Sequence, residues 1–395
     1  MPVSQRKLLG AWYTPPELVD AVVTEVLRGF APQTVLDPAC GDGRFLSPFA
    51  DTATVTGVDI DPTTSWTLGD SLTMDWGEQR FDAVVGNPPF LNQLASSTSR
   101  GGRSKFGGGP YADSAAEFLS LATRLTKPGG RIGLVLPLSM LSTRDVKPIR
   151  DDVTRRASLR WMWWSTTLMF EANVRVWAGV WEVGGAPGEV RRAYGPEFAP
   201  RTTIAMPAQW SGLIADTVEQ AHDGPVLGDV ATFTADFRDQ YYGLIGAVSD
   251  TADGPPLVTS GLIEPNECWW GRRPVRFAKQ MYSAPRVDVT LLSPALQRWA
   301  DQRLVPKILI ANQTRRIEAV IDRAGGWLPS VPVITCTTDR LDDVAAVLHS
   351  DAATEWVRYH AAGSGLSATS VRLTARLLAS IPLPAAMAET PTVAS

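Results

Sequence analysis

An alternation of element types constrains this chain more than any other feature. Residues 15–28 (PPELVDAVVTEVLR) place apolar side chains at helical spacing behind prolines suited to a helix start. Three short apolar runs follow, each ending in residues that stop a strand. TVLDPACGDGRF ends in a Gly-containing turn, ATVTGVDIDP in acids and RFDAVVGNPPF in Asn-Pro-Pro. Residues 113–126 read as an amphipathic helix that stops at Lys127-Pro128-Gly129-Gly130, and RIGLVLPLSML is a further buried strand. Strands spaced by helices pair in parallel, because each crossover lays its helix on a sheet face. The expected fold is therefore α/β, a doubly wound and mostly parallel sheet. Such sheets bind ligands at the carboxyl ends of their strands, where the Gly, Asp and Asn-Pro-Pro residues fall.

The second half loses this rhythm. GGAPGE at 184–189 reads as a boundary, and beyond it the chain is rich in Pro, Trp and Arg, with short strand-like runs such as KILIA and VPVITC. The last stretch, AAMAETPTVAS, is small, polar and Pro-containing, which predicts a frayed tail. Three segments are expected: 1–185, 186–384 and a tail at 385–395. A chain of 395 residues accommodates two domains of ordinary size. With 44% hydrophobic and 20% charged residues, disorder is excluded. No run approaches the roughly 20 apolar residues of a membrane span, and MPVSQRKLLGAWYTPP holds no signal-peptide core. Cys40, Cys268 and Cys336 form no CxxC spacing, and three histidines (His222, His349, His360) are too few to suggest a zinc site. The expectation is a soluble, cytoplasmic protein without a metal.

Chemistry is concentrated at the strand ends. In Asp37-Pro38-Ala39-Cys40-Gly41-Asp42-Gly43 the glycines let the backbone approach a ligand closely. The spacing departs from GxGxxG, which disfavours a dinucleotide. Asp59 and Asp61 close the second strand, where a carboxylate can accept from ribose hydroxyls. Asp70, after TLG, has the acceptor an adenine amine requires. Each acid alone reads equally well as a solvated loop residue; three at successive strand ends do not. Asn87-Pro88-Pro89-Phe90 is the sharpest signal. Two prolines lock the backbone, so that a carboxamide and a fixed carbonyl can both accept from one amino group while Phe90 offers a stacking face. Cys40 reads as a packing residue.

The ordered series GAWYTPPE, DPACGDGRF, GVDIDP, LGDSL, GNPPF, AEFL and LTKPGGRIGLVLP resembles the gamma-class N6-adenine DNA methyltransferases of restriction–modification systems, the TaqI-like group. The resemblance covers roughly residues 10–183 and is looser beyond. It implies a Rossmann-like class I methyltransferase domain followed by an α+β target-recognition domain, with S-adenosylmethionine as cofactor and double-stranded DNA as partner. Tyr13, Thr14 and Pro15 match the segment that packs on the cofactor; Asp37, Ala39 and Gly41 match the turn around its methionine moiety. Asp59 and Ile60 match the ribose and adenine contacts, Asp70 the adenine amine contact and Phe118 an aromatic near the cofactor. Asn87, Pro88, Pro89 and Phe90 match the catalytic motif, and Phe170 stands where relatives often carry a second aromatic against the flipped base; an edge-of-core role for the Met169–Val176 run remains open. Two departures stand out: the catalytic motif ends in Phe90 where Tyr is commoner, and the ribose acid is Asp59 where some relatives carry Glu. A sulfonium methyl is already activated, so the lack of a Ser/His/Asp or Cys/His constellation is expected. Because N6 takes part in base pairing, the adenine must leave the duplex.

Charge is uneven along the chain. Between Cys268 and Arg316 ten bases face two acids, a local charge of +8, so the remainder carries −12 against a total of −4. Arg272, Arg273, Arg276, Lys279, Arg315 and Arg316 are the expected phosphate contacts, interleaved with Trp269, Trp270, Phe277, Tyr282 and Trp299 as stacking surfaces. A solvated basic face that binds nothing is the alternative. The loop from Asn92 to Pro110 carries Arg100, Arg103 and Lys105 and reads either as a flap over DNA or as an insertion. Asn312 and Gln313, with Arg272 and Arg273, have the groups that read base edges. The same catalytic motif also serves methylation of RNA bases or of a protein glutamine, and a non-catalytic nucleic-acid-binding subunit would retain the fold. No PD…(D/E)xK or GxxxxGK[ST] pattern is present, so any restriction endonuclease is expected to be a separate chain.

Overall fold

The computed structural model describes residues 13–90, 104–109, 112–167, 169, 174–215, 222–236, 238–361, 370–384 and 387. The chain divides into two compact units, Met1–Ile214 and Ala215–Ser395. No helix among the described residues is long and apolar enough to cross a membrane.

The first unit is built on one sheet. Its strands are β1 (Thr34–Asp37), β2 (Thr54–Asp59), β3 (Thr67–Leu68), β4 (Phe81–Gly86), β5 (Thr126–Pro137), β6 (Ala157–Trp164), β7 (Val176–Val183), β8 (Glu189–Tyr194) and β9 (Ala199–Ala205). They lie in the order β3-β2-β1-β4-β5-β7-β6-β8-β9. The first five are mutually parallel, and β7 runs antiparallel between β5 and β6. The helices are α1 (Pro16–Leu27), α2 (Ser114–Leu125) and α3 (Lys147–Arg156).

The two-residue period of the strands sorts side chains between the two faces. Val35, Ala83, Val85 and Val135 point to the core shared with Leu18, Val22 and Val26 of α1. Leu36, Val84, Ile132 and Leu134 point to the opposite core with α2 and α3. Near-continuous apolar strands are what a sheet covered on both faces requires. Helix α1 seats closely because Gly133 leaves it room: a Cβ there would stand 2.5 Å from a Val26 methyl. Val22 and Val26 are fully buried, worth about 1.5–3 kcal/mol each. Helix α2 starts on Asp113, which accepts from the Ala115 amide (3.0 Å). It ends at Leu125, and the Lys127-Pro128-Gly129-Gly130 stretch expected to stop it lies in the first part of β5, where Gly129 has φ +80° and the β4–β5 register slips.

The GGAPGE stretch is a connection within the sheet and not the boundary expected after 185. Strand β8 returns parallel to β6, and β9 pairs with β8. Trp210 and Leu213 complete the α2–α3 core; Trp210 lies edge-on to Trp177 at 5.8 Å and donates to Thr154 Oγ1 (3.1 Å). The first unit therefore extends to Ile214, since these apolar side chains are buried in its core.

The second unit mixes helices with antiparallel strands. Its elements include β10 (Thr232–Ala235), β11 (Val275–Phe277), β12 (Gln280–Tyr282), α4 (Pro294–Arg303), β13 (Lys307–Ile310), β14 (Gln313–Thr314), β15 (Ala319–Asp322), β16 (Ile334–Thr337), α5 (Leu341–Leu348), α6 (Asp351–His360) and β17 (Val371–Arg372). One antiparallel sheet has the order β10-β16-β13-β15, and α5 and α6 pack against it. Of the tail expected from 385, Met387 is described; it packs against this core, and its carbonyl accepts from Arg340 (3.2 Å).

Candidate active site

Parallel pairing brings the ends of β1, β2 and β4 to one edge of the sheet. Asp37 stands beside Gly57 in register, and its carboxyl lies against Gly86. A Cβ on Gly86 would meet Asp37 Oδ1 at 2.5 Å, and Gly86 has φ +149°. Glycine is required there twice over, once for the close approach and once for the backbone conformation. Asp37 is buried and accepts from the Ala39 amide (3.0 Å). Burial pushes its carboxyl up to about 8. Cys40 is buried, its amide donates to the Val58 carbonyl (3.0 Å), and burial raises its thiol. That environment makes it a packing residue and a poor nucleophile.

Asp59 ties the turn to β2. Its Oδ2 accepts from the Gly41 amide (2.7 Å) and its Oδ1 from the Asp61 amide (2.8 Å). A carboxylate has about four acceptor positions, so capacity for hydroxyl donors remains. Ile60, beside it, is 49% exposed, an apolar side chain in water at the mouth of the site. Asp70 is exposed and accepts from the Leu72 amide (3.0 Å). Asp61 instead caps its own turn through Thr63 (2.9 Å).

At the end of β4, Asn87-Pro88-Pro89-Phe90 forms a braced corner. Asn87 Nδ2 donates to the hydroxyl of the buried Thr14 (3.0 Å). Ser114, in the first turn of α2, donates to the Pro89 carbonyl (2.6 Å). Phe90 is half-buried and packs against the cores on both faces of the sheet. Thr14 is itself held, because Arg44 donates to its carbonyl and lies 4.8 Å over the Tyr13 ring. Arg44 also pairs with Asp42 (2.6 Å) and holds that carboxyl below its ordinary range. Tyr13 is half exposed and Pro15 caps α1 from the position before it. Phe118 is buried on α2; Phe170 lies outside the described residues.

This donor set fits S-adenosylmethionine. Carboxylates at Asp59 and Asp70 are acceptors for hydroxyls and an amine, and exposed Ile60 offers a face for an aromatic ring. Gly41, with φ +53° and open space where a Cβ would stand, leaves room at the turn. Sequence reading missed three residues that shape the site. Arg44 and Ser114 act through backbone carbonyls, which leave no side-chain pattern. Trp66 lies so close over Gly43 and Gly57 that a Cβ on either would meet its ring at 2.5 and 2.7 Å, and nothing around it in the chain marks it.

The described part of the 92–110 loop is packed in place. Ser104 donates to buried Glu117, and Lys105 donates to the Leu72 carbonyl (2.8 Å). Arg100 and Arg103 lie outside the described residues.

In the second unit the basic segment separates into two sets. Arg272 pairs with Glu267; Arg273 pairs with Glu264 (2.9 Å) and lies 4.0 Å over Trp269. Arg286 donates to the Gly254 carbonyl (2.7 Å), and Arg303 pairs with Asp236 (2.6 Å). Lys307, fully buried, pairs with Asp322 (2.5 Å). Arg276, Lys279, Arg298, Arg315 and Arg316 are exposed, with no ion pair among the described residues. Arg315 and Arg316 line an open cleft of about 630 Å³ with Gln313 and Arg358, and Arg358 donates twice to the Arg315 carbonyl (3.0 and 2.6 Å). The aromatic residues correct the sequence expectation. Phe277 and Trp299 are buried in the core and Trp270 Nε1 donates to the Pro285 carbonyl (2.8 Å), so they are not a row of stacking surfaces. Asn312 is also buried, its carbonyl bonded to the Leu373 amide (2.7 Å), whereas Gln313 faces the cleft.

Residues 55–163 match the family described as Eco57I restriction-modification methylase. The chain is similar to the type II methyltransferase M.CvrRI of Paramecium bursaria Chlorella virus XZ-6E, 28% identical over 158 residues covering 37% of this chain and 40% of that protein. It is likewise similar to the type II methyltransferase M.TthHB8I of Thermus thermophilus, 29% identical over 186 residues covering 39% of this chain and 40% of the relative. Each match thus spans about two fifths of the relative's length. Among solved structures, the type IIL restriction-modification enzyme MmeI in complex with DNA shares the fold at a TM-score of 0.59 and 13% identity, over 96% of this chain and 69% of that chain. The first unit has the Rossmann-like class I methyltransferase fold, five parallel strands continued by an antiparallel β7.

Proposed function

We propose that this chain, which is related to restriction–modification methylases through residues 55–163, is a site-specific DNA adenine N6-methyltransferase that uses S-adenosylmethionine. The first unit carries methyl transfer and the second target recognition, in a cytoplasmic restriction–modification or phage-defence system. One observation carries the reading: the Asn87-Pro88-Pro89-Phe90 corner stands at the same sheet edge as the Asp37–Gly41 turn and Asp59.

Asp59 and Ile60 would hold the ribose and adenine, Asp70 the adenine amine, and the Asp37–Gly41 turn with Tyr13–Pro15 the methionine end. The bound cofactor supplies an activated methyl, so the chain contributes no nucleophile. Asn87 Oδ1 and the Pro88 carbonyl would accept the two hydrogens of the target amine, turning its lone pair outward and stabilising the positive charge that develops on it until one of its protons is released to water. Phe90 stacks on the extruded base. Base–aromatic stacking of about 1–3 kcal/mol offsets part of the extrusion cost. The protein's contribution is then mainly positioning.

The test is methyl transfer from labelled cofactor to separate pools of duplex DNA, RNA and protein. Label recovered as N6-methyladenine in duplex DNA, and lost in Asn87→Ala while cofactor binding persists, supports the reading. Transfer to RNA or protein with none to DNA overturns it. Mapping modified adenines in DNA from cells with and without the chain then gives the recognition sequence.

A further inference from the structure

We infer that Arg44 and Thr14 are positioning residues for the amine-binding corner, Arg44 clamping the Tyr13–Thr14 segment onto the turn after β1 and the Thr14 hydroxyl holding the Asn87 carboxamide. The inference rests on the methyl-transfer reading and adds two roles to it. A carboxamide has an acceptor end and a donor end. Its last torsion is broad and nearly two-fold, so Asn87's own backbone does not choose between them. A target amine needs the acceptor; a half-turn of the amide would present two N–H donors to it instead. In the structure Asn87 Nδ2 donates to Thr14 Oγ1 at 3.0 Å, so the nitrogen lies on the Thr14 side and the oxygen is the end directed elsewhere. Since a hydroxyl can also donate, what this bond fixes is the plane in which the carboxamide is held. Thr14 is 1% exposed, so water does not compete for that bond.

Thr14 needs its own anchor, because it lies ahead of α1 with extended backbone following at Pro15. Arg44 supplies it at three points. The guanidinium donates to the Thr14 carbonyl, grips the Asp42 carboxylate through Nε (3.0 Å) and a second nitrogen (2.6 Å), and covers the Tyr13 ring. The planar fork holds the carbonyl, both carboxylate oxygens and the ring face from fixed directions, which the single point charge of a lysine does not reproduce. The turn that meets the cofactor and the corner that meets the base are thereby one connected frame, joined through residues 13 and 14.

Thr14→Val keeps the side-chain shape and removes the hydroxyl; Thr14→Ser keeps the hydroxyl. With saturating DNA and cofactor, Thr14→Val is expected to lower kcat by on the order of 10²-fold, a loss larger than any rise in the cofactor Kd, since Tyr13 and Pro15 of the same segment are unchanged. Thr14→Ser restores most of the rate. Arg44→Lys lowers kcat in the same sense. Because the two residues act in series, the double variant is no more than about 2-fold slower than Thr14→Val alone. A readout independent of turnover is the Asn87 side-chain amide, one of five asparagines in the chain, followed by selective nitrogen labelling. Its hydrogen exchange is slow in the wild type, fast in Thr14→Val and slow again in Thr14→Ser. A raised cofactor Kd with unchanged kcat, a serine variant that fails to rescue, or an Asn87 amide indifferent to Thr14 overturns the inference. If the wild-type chain methylates no DNA, the parent reading fails, and the amide exchange alone decides whether the clamp exists.

Discussion

At the end of β1 the Asp37 carboxyl is pressed between its own turn and the Gly86 backbone, where no water reaches it. Its ordinary value of 3.8 rises to about 8 on burial. Between those values the folded state holds a proton that the unfolded chain has released, so stability falls as pH rises through that window. The slope from this group approaches about 1.4 kcal/mol per pH unit at most. Asp37→Asn keeps an acceptor for the Ala39 amide and removes the charge. Urea unfolding at several pH values is expected to show wild-type stability falling toward about pH 8 relative to the variant; parallel curves would count against a buried neutral Asp37. The sequence marked Asp37 as functional by its place beside glycines. That it is buried followed only from Gly86, 49 positions later, whose missing Cβ makes the space that Asp37 fills.

The elements of the second unit show how far local charge misleads. Lys307 and Arg276 read alike in the sequence as members of one basic run. Lys307 begins β13, whose neighbours β15 and β16 enclose it, and its ammonium is paired with Asp322. Removing one partner of a buried pair leaves the other charge uncompensated, so Lys307→Met is expected to cost about 3–5 kcal/mol in chemical denaturation. Arg272→Ala, at an exposed pair, costs about 1 kcal/mol or less. The β11–β12 hairpin is a second case. Its two-residue loop, Ala278 and Lys279, has φ of +47° and +70°, a conformation that Asn-Gly adopts without strain and other residues do not. Lys279→Gly should stabilise the fold by about 1 kcal/mol while removing a cation from the proposed DNA surface. Higher melting temperature with weaker DNA binding is the expected outcome; unchanged DNA affinity would remove Lys279 from that surface. Helices α1 and α2 and strands β1, β2, β4 and β5 of the first unit were legible because a sheet covered on both faces repeats its apolar pattern. The short strands here were less so, since runs of two or three residues have no period to read.

For the whole molecule, a net charge of −4 averages two unlike parts, and the basic part itself averages two kinds of cation. Five of its bases are committed to acids or carbonyls inside the unit, and five stand in water without an ion pair among the described residues. Phosphate contacts release counterions, so each exposed cation that meets DNA adds close to one unit to the salt dependence. Arg315→Ala and Arg316→Ala are each expected to lower the slope of log Kd against log salt by about 1, measured by anisotropy on duplex DNA. Arg303→Ala should leave the slope unchanged and reduce stability. Equal effects from all three would mean that the exposed set is not the DNA surface.

The amino-acid sequence by itself determined strands β1, β2, β4 and β5 of the first unit's sheet, the positions of their ends and the residue types gathered there. Apolar period, breakers and motif residues are all local properties, and local properties survive in a linear text. Only the tertiary structure decided where the first unit ends, which cations are buried, and that Arg44, Thr14 and Asn87 form one hydrogen-bonded frame. Those depend on contacts between residues far apart in the chain. Trp210 fills a core begun by α2, and Asp322 lies opposite Lys307 because β15 pairs with β13. Thr14 meets Asn87 across 73 positions. Packing and pairing at such separations are set by the close filling of space in three dimensions, for which a sequence carries no local sign.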